Sequence, residues 1–249
     1  MSGSLVVVGT GPGKSELITP ATDAVLAHAT DLVGYGPYLD RVPCRAGQRR
    51  HASDNRVELE RARLALSLAA AGRQVAVVSG GDPGVFAMAA AVFEAVDAGD
   101  PSWRELDIRV EPGVTAMLAA AAEAGAPLGS DFCAISLSDN LKTWSTIERR
   151  LKAAAEADFV IALYNPASKA RPHQLGQAFE LLRGVKAKET PVLFVRAAGT
   201  AEACVVSASL GAADPSCADM RTLVIVGAST TRQVGRWIYT PRSERGAAS

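Results

Sequence analysis

The chain has 249 residues, 48% of them hydrophobic, and its 26 basic and 26 acidic side chains cancel to zero net charge. That length admits one large domain or two small ones, and the apolar content is ample for a packed core, which excludes a disordered chain. Zero net charge creates no global field toward nucleic acid or an anionic membrane, so any anionic partner has to be met by a local patch of cations.

Cys44, Cys133, Cys204 and Cys217 are scattered and form no Cys-x-x-Cys pair. They read as thiols of a reducing compartment, with neither a disulfide framework nor a metal site expected. The start lacks a basic stretch, Leu5–Val8 is too short for a signal core, and no apolar run approaches the ~18 residues of a membrane span. A soluble cytoplasmic protein is the expectation.

Short β-branched runs alternate with helical patterns. Leu5–Val8 is predicted as a buried strand, and Thr19-Pro20 as a cap and first residue of a helix over Ala21–Ala29. A strand over Leu32–Tyr35 follows. Val57–Ala71 has helical spacing and stops at Gly72. Val75–Ser79 reads as a strand, Val85–Val96 as a helix, Ile108–Val110 as a strand and Val114–Ala124 as an alanine-rich helix ended by Gly125. Regular alternation of this kind predicts a mainly parallel sheet with covering helices. Gly125–Gly129 is the candidate linker, giving an N-terminal α/β domain over 1–125 and a C-terminal one over 126–249.

The second half restarts with a strand over Phe132–Leu137. Ser145 and Glu148 form a capping-box pattern for a helix reaching about Ala155. Phe159–Tyr164 is predicted as a strand and Gln174–Leu182 as a helix. Val192–Arg196 and Ala203–Val206 lie close enough for a hairpin, so this sheet is expected to be mixed. Leu223–Val226 is a last strand, and the tail after Tyr239 is polar and expected to be loose. The fold class is therefore α/β, with two α/β domains, the first sheet mainly parallel and the second mixed.

Three strand ends carry the chemistry. The first is Gly9-Thr10-Gly11-Pro12-Gly13-Lys14-Ser15. A phosphate-binding P-loop needs a glycine at position 8, where Val8 stands, and the dinucleotide fingerprint needs a third glycine where Lys14 stands. Asp31 precedes the second strand, whereas a ribose-binding acid belongs at its end. Pro12 also removes an N–H from the middle of the loop, which makes a poor anion cradle. A plain strand-to-helix turn accounts for this loop about as well as a ligand does. The second strand end, Gly80-Gly81-Asp82-Pro83-Gly84-Val85-Phe86, again has glycines and a proline, now with a carboxylate that repels phosphate and welcomes a cation or hydroxyls. The alternative role of Asp82 is a turn residue capping a helix at Pro83. The third is Glu111-Pro112-Gly113-Val114-Thr115-Ala116. Loops at the carboxyl ends of parallel strands line ligand crevices, and three built alike point to a ligand without phosphate.

With these motifs the chain resembles the class III S-adenosylmethionine (SAM)-dependent tetrapyrrole methyltransferases over nearly its whole length. Val33-Gly34-Tyr35 with Tyr38-Leu39, Asp131–Asp139 and Leu163-Tyr164-Asn165-Pro166 point to the branch serving cobalamin synthesis. The resemblance implies two α/β domains with SAM in the cleft between them, a homodimer and a tetrapyrrole substrate. Carried over by motif, Pro12, Gly80, Gly81, Asp82, Val85, Phe86, Thr115, Ala116, Tyr164 and Asn165 would line the cofactor site. Ala198, Gly199 and Thr200 would form a small-residue turn beside it, with Ala198 where relatives often carry glycine. Thr143-Trp144-Ser145 stands where close relatives have Pro-Trp-Glu.

The implied reaction passes a methyl group to a ring carbon with contraction of the macrocycle. Alignment in a dry site supplies most of the catalysis of an in-line transfer from an activated cofactor. Ring contraction needs proton movement, for which Asp139 is the first candidate and Asp82 the second. Turn roles are equally compatible with both. The substrate's carboxylates require local cations. Arg41–His51, including Arg45, is one basic stretch, expected as a loop, and Lys169, Arg171 and His173 are another, although a solvated surface is the commoner fate of any single basic run. Rival readings are a sibling methyltransferase acting on a cobalt-bearing substrate or another ring carbon, a nicotinamide-dependent oxidoreductase, and a non-catalytic binder.

Overall fold

The computed structural model describes residues 3–243. The chain forms two compact units that divide between Ala116 and Met117.

The first unit runs β1 (Ser4–Gly9), α1 (Pro20–His28), β2 (Asp31–Tyr35), α2 (Gly36–Leu39), β3 (Arg49–Ser53), α3 (Glu58–Ala70), β4 (Gln74–Ser79), α4 (Met88–Ala98) and β5 (Asp107–Glu111). Its five strands are all parallel, in the order β3-β2-β4-β1-β5. Strand alternation sends Leu5 and Val7 to one face, against α3 and α4, and Val6 and Val8 to the other, beside Leu26 of α1. Burial on both faces is why the central strands read as unbroken apolar runs. Thr19 caps α1, its side chain accepting the Thr22 N–H, as the Thr-Pro pair predicts. Gly72 follows α3 at φ +84°, the left-handed geometry that ends a helix.

Two expectations need correction here. The basic stretch Arg41–His51 is not all loop: Arg49–Ser53 forms the edge strand β3, pairing with β2. Its polar sequence hides it, because an edge strand is only half covered. The helix expected from Val85 begins only at Met88, because Phe86 takes φ +53°, which breaks helical geometry.

The second unit contains α5 (Ala116–Ala124, starting at the boundary), β6 (Gly125–Ala126), β7 (Phe132–Ser136), α6 (Trp144–Glu156), β8 (Val160–Tyr164), α7 (Gln174–Arg183), β9 (Pro191–Arg196), β10 (Cys204–Ser209), β11 (Thr222–Val226), β12 (Arg232–Val234) and β13 (Trp237–Tyr239). Its main sheet has the order β10-β9-β11-β8-β7. Only β7 and β8 are parallel; β8-β11, β11-β9 and the β9-β10 hairpin are antiparallel, so the sheet is mixed. Ile147 and Leu151 of α6 and Leu175, Phe179 and Leu182 of α7 pack on it in one core. Phe179 meets Phe194 of β9 edge to face, ring centres 6.0 Å apart, the favoured aromatic arrangement.

Here too the sequence misleads in places. Thr143, not Ser145, caps α6 by accepting the Thr146 N–H, and Glu148 accepts from the Trp144 indole N–H at 2.9 Å instead of closing a capping box. Gly125 and Ala126, in the candidate linker, pair with Ile238 and Tyr239 of β13. The tail expected to be loose begins with an anchored residue: Thr240 is buried, and its hydroxyl bonds Pro127 O. Residues 244–249 of that tail lie outside the described residues. Among the described residues, no helix is long and apolar enough to cross a membrane.

Candidate functional site

Strand order creates the first cluster. Because β1 lies between β4 and β5, the loops leaving all three carboxyl ends sit side by side. Gly11 and Gly81 exchange both backbone hydrogen bonds, at 3.2 and 2.8 Å, and both have positive φ, +69° and +66°. Thr10 N donates to Ser79 O at 2.9 Å. Asp82 Oδ1 accepts the Gly84 N–H at 2.8 Å and Oδ2 the Gly113 N–H at 3.0 Å. One carboxylate thus turns its own loop and ties it to the third, a role beyond the helix cap expected of it.

Glycine is required by close approach at two of these points. A Cβ on Gly113 would stand 2.3 Å from Gly81 O, and one on Gly9 would stand 2.7 Å from the same oxygen. Gly80 serves a different contact, since a Cβ there would meet the Tyr38 ring at 2.7 Å. The motifs alone gave Gly9 and Gly113 no separate role and did not single out Tyr38 as a packing partner; a glycine ending β1 and another two residues after β5 were the available signal.

The first-unit residues expected at a cofactor site are therefore gathered on adjacent loops. Pro12 is half-buried, as are Gly81, Asp82 and Val85; Thr115 is buried and Phe86 is 52% exposed, presenting an aromatic side chain at the surface. The N–H groups of Thr10, Gly11, Gly81, Gly84 and Gly113 are all taken by protein acceptors, and Pro12 has none. A pyrophosphate would find few donors here. A ligand with positive charge and an aromatic base fits the carboxylate and the exposed ring.

Asp31, tested as a ribose-binding acid, is fully buried at the opposite end of β2. It accepts from Thr30 Oγ1, His51 Nε2 and Arg73 Nε at 2.8, 2.9 and 2.7 Å. Burial alone would raise its pKa, but the bonds from His51, Thr30 and Arg73 outweigh that and hold it below the usual carboxylate value.

The basic stretch before α3 is largely committed within the fold. Arg50 donates to Leu39 O and Val42 O, His51 binds Asp31, and Arg41 lies over the Tyr38 ring at 5.5 Å. Arg45 sits 3.4 Å from Asp23, both exposed, a surface pair of small worth.

In the second unit, the ends of β7 and β8 are stitched together. Leu137 N donates to Tyr164 O. Asn165, at φ +52°, donates from Nδ2 to Ser136 Oγ at 2.9 Å. The Tyr164 hydroxyl accepts the Met117 N–H at 3.1 Å, satisfying a first-turn donor of α5. Ala198, Gly199 and Thr200 form the turn after β9, entered through Ala197 at φ +51° and closed by Thr200 Oγ1 on Ala197 O at 2.8 Å. Ala198 and Gly199 are buried. Asp139 is exposed, and its Oδ2 accepts from Gln174 Nε2 at 3.3 Å. It shares a hollow of about 330 Å³ with Trp144, Arg171, His173 and Gln174. Lys169 is exposed on the preceding turn.

Residues 4–214 match the model of the tetrapyrrole (corrin/porphyrin) methylases. A precorrin-3B C(17)-methyltransferase of Sinorhizobium sp is 58% identical over 100% of both chains. A crystal structure of the methyltransferase CobJ superposes with a TM-score of 0.94 and 55% identity, covering 96% of this chain and 100% of that one. A uroporphyrin-III C-methyltransferase from Thermus thermophilus, complexed with S-adenosylhomocysteine, shares the fold at TM-score 0.67 and 24% identity, over 90% of this chain and 92% of its own. The chain belongs to the tetrapyrrole (corrin/porphyrin) methylase family, whose members are SAM-dependent methyltransferases.

Proposed function

We propose that this enzyme methylates ring carbon 17 of precorrin-3B, with ring contraction to precorrin-4, in cobalamin synthesis. The full-length relative at 58% identity supports that substrate and carbon. The observation that carries the cofactor reading is the mutual bonding of the three glycine loops, which consumes the donors a phosphate would need and leaves the Asp82 carboxylate among them.

Pro12, Gly80, Gly81, Asp82, Val85, Phe86, Thr115 and Ala116 would hold the cofactor in the first unit. Tyr164, Asn165, Ala198, Gly199 and Thr200 of the second belong to the same proposal. When bound, the cofactor supplies an electrophilic methyl group on a positively charged sulfur. Asp82, with both oxygens already accepting backbone N–H groups, fits a positioning role better than a proton-moving one. Asp139, exposed and, among the described residues, held by one long bond from Gln174, is the better candidate to move the proton that ring contraction requires. Lys169 and Arg171 would meet substrate carboxylates, with Arg45 a third cation. A homodimer and a cytoplasmic setting complete the proposal.

The test is incubation of the purified chain with methyl-labelled SAM and either precorrin-3B or its cobalt-bearing counterpart. Label in a ring-contracted product from the cobalt-free substrate supports the reading. Turnover of the cobalt-bearing substrate alone would replace it with the sibling activity, and a label on another carbon would overturn the assigned position.

A further inference from the structure

We infer that Tyr38 touches the tetrapyrrole, its hydroxyl donating a hydrogen bond to an oxygen of the substrate from beside the Gly80 loop; the inference rests on the function proposed above.

Tyr35 ends β2, and Tyr38 lies in α2, which follows at once. Because β2 pairs with β4, both residues stand at the same carboxyl edge as the Gly80 loop. The hydroxyl-bearing end of the Tyr38 ring is the part that reaches this loop. A Cβ on Gly80 would stand 2.7 Å from Cζ, 2.8 Å from Cε1 and 3.1 Å from Cε2. The phenol therefore occupies the space that a side chain at position 80 would need, one residue before Gly81 and two before Asp82.

The ring is held from several directions. Tyr35 meets it edge to face with centres 5.4 Å apart, Arg41 lies 5.5 Å from its centre, and it packs against the buried cluster that contains Leu39 and Val78. Arg50 braces α2 and the turn after it by donating to Leu39 O and Val42 O at 2.7 and 2.6 Å. A side chain fixed in this way presents its polar atom at a defined place. Tyr38 is half-buried, and among the described residues its hydroxyl has no hydrogen-bond partner. A phenol O–H that no protein group takes is open to a guest.

Charge selects the guest. Arg61 is 5% exposed and donates to Ser53 Oγ at 2.8 Å, Asp54 O at 2.7 Å and Met88 Sδ at 3.2 Å; among the described residues no carboxylate pairs with it. Burial lowers its pKa, and Glu58, Tyr38 and Tyr35 act in the opposite direction, which places both phenols within range of its charge. Asp40, Asp54 and Glu58 are exposed, where water and salt screen them; Arg61, being buried, is screened least. A buried cation without an acid is costly to keep. A cofactor that is itself positively charged gains nothing from it, and finds its anion in Asp82 on the next loop. A substrate bearing several carboxylates does gain. The field thus favours the cofactor over the ends of β4, β1 and β5 and the tetrapyrrole over the end of β2, where the phenol meets a substrate oxygen as donor.

Tyr38→Phe in the full chain tests this, because it keeps the ring against Gly80 and removes only the oxygen. It should lower kcat/KM for the tetrapyrrole about 10–100-fold while S-adenosylhomocysteine affinity stays within about twofold and the thermal midpoint is unchanged. Unchanged turnover, or a loss matched by weaker cofactor binding, assigns Tyr38 to packing and overturns the contact. A second readout needs no turnover. Protein carrying 3-fluorotyrosine is saturated with S-adenosylhomocysteine and then titrated with precorrin-3B. The fluorine resonance that is missing in Tyr38→Phe should shift saturably, and a resonance that stays fixed overturns the contact. If the wild type turns over no tetrapyrrole, the proposed function itself fails, whereas normal turnover by Tyr38→Phe ends the contact alone.

Discussion

Asp82 Oδ2 accepts the Gly113 N–H at 3.0 Å across 31 positions of sequence, joining the loop after β4 to the loop after β5. Its other oxygen holds Gly84 N. Asp82→Ala removes both bonds and should cost about 1–3 kcal/mol of stability, with S-adenosylhomocysteine affinity falling at least about tenfold because the loops lose their common anchor. Asp82→Asn keeps one acceptor and should fall between. Calorimetric titration alongside thermal unfolding separates the two effects.

The close approach of Gly113 to Gly81 gives a sharper test. Gly113→Ala places a methyl group where Gly81 O already lies, so the loops must separate. We expect a stability loss of about 1–3 kcal/mol, as in other overpacked sites, together with loss of cofactor binding. Gly36→Ala is the control: a Cβ there meets nothing within 4 Å, and neither property should change. Equal behaviour of the two variants in a binding titration would contradict the packing argument.

Buried Asp31 makes stability depend on pH in a stated direction. Its pKa is lowered in the folded chain, so its contribution is fully present above the usual carboxylate value of about 3.9 and is lost as pH falls through the lower folded value. Asp31→Asn leaves Arg73 and His51, both partly solvated, facing a neutral group and should destabilise by about 1–3 kcal/mol at neutral pH. Denaturant midpoints of the wild type should keep their advantage over the variant down to about pH 3.9 and approach those of the variant only as pH falls further, through the lower folded value.

Helix capping supplies a fourth expectation. Thr143→Ala should cost about 0.5–2 kcal/mol, whereas Ser145→Ala should leave chemical denaturation nearly unchanged, the reverse of what the Ser145/Glu148 spacing suggests.

Much of the architecture was legible because burial writes itself into side-chain type. The runs at Leu5–Val8 and Val75–Val78 are apolar throughout since both faces of that sheet are covered, and Thr19-Pro20 marks a helix start by local chemistry alone. Elements whose stability comes from distant partners left weaker traces. Strand β3 is polar because it lies at an edge, and β6, β12 and β13 are two or three residues long, too short for a period to register. The three glycine loops were visible one at a time. Their adjacency depends on strand order, and the bond from Asp82 to Gly113 depends on that adjacency. Arg171 was noticed as a cation, but that its Nε and Nη1 are buried with no partner among the described residues depends on tertiary packing, which no spacing rule encodes.

The three loops at the ends of β1, β4 and β5 are the proposed seat of the cofactor in the first unit. Hydrogen–deuterium exchange on the full chain with and without S-adenosylhomocysteine measures this directly. We predict slowed exchange in the segments 10–13, 80–87 and 113–116 on adding the nucleoside, with no such change on adding NAD. Protection confined to other segments, or protection of these loops by NAD and not by the nucleoside, would contradict it.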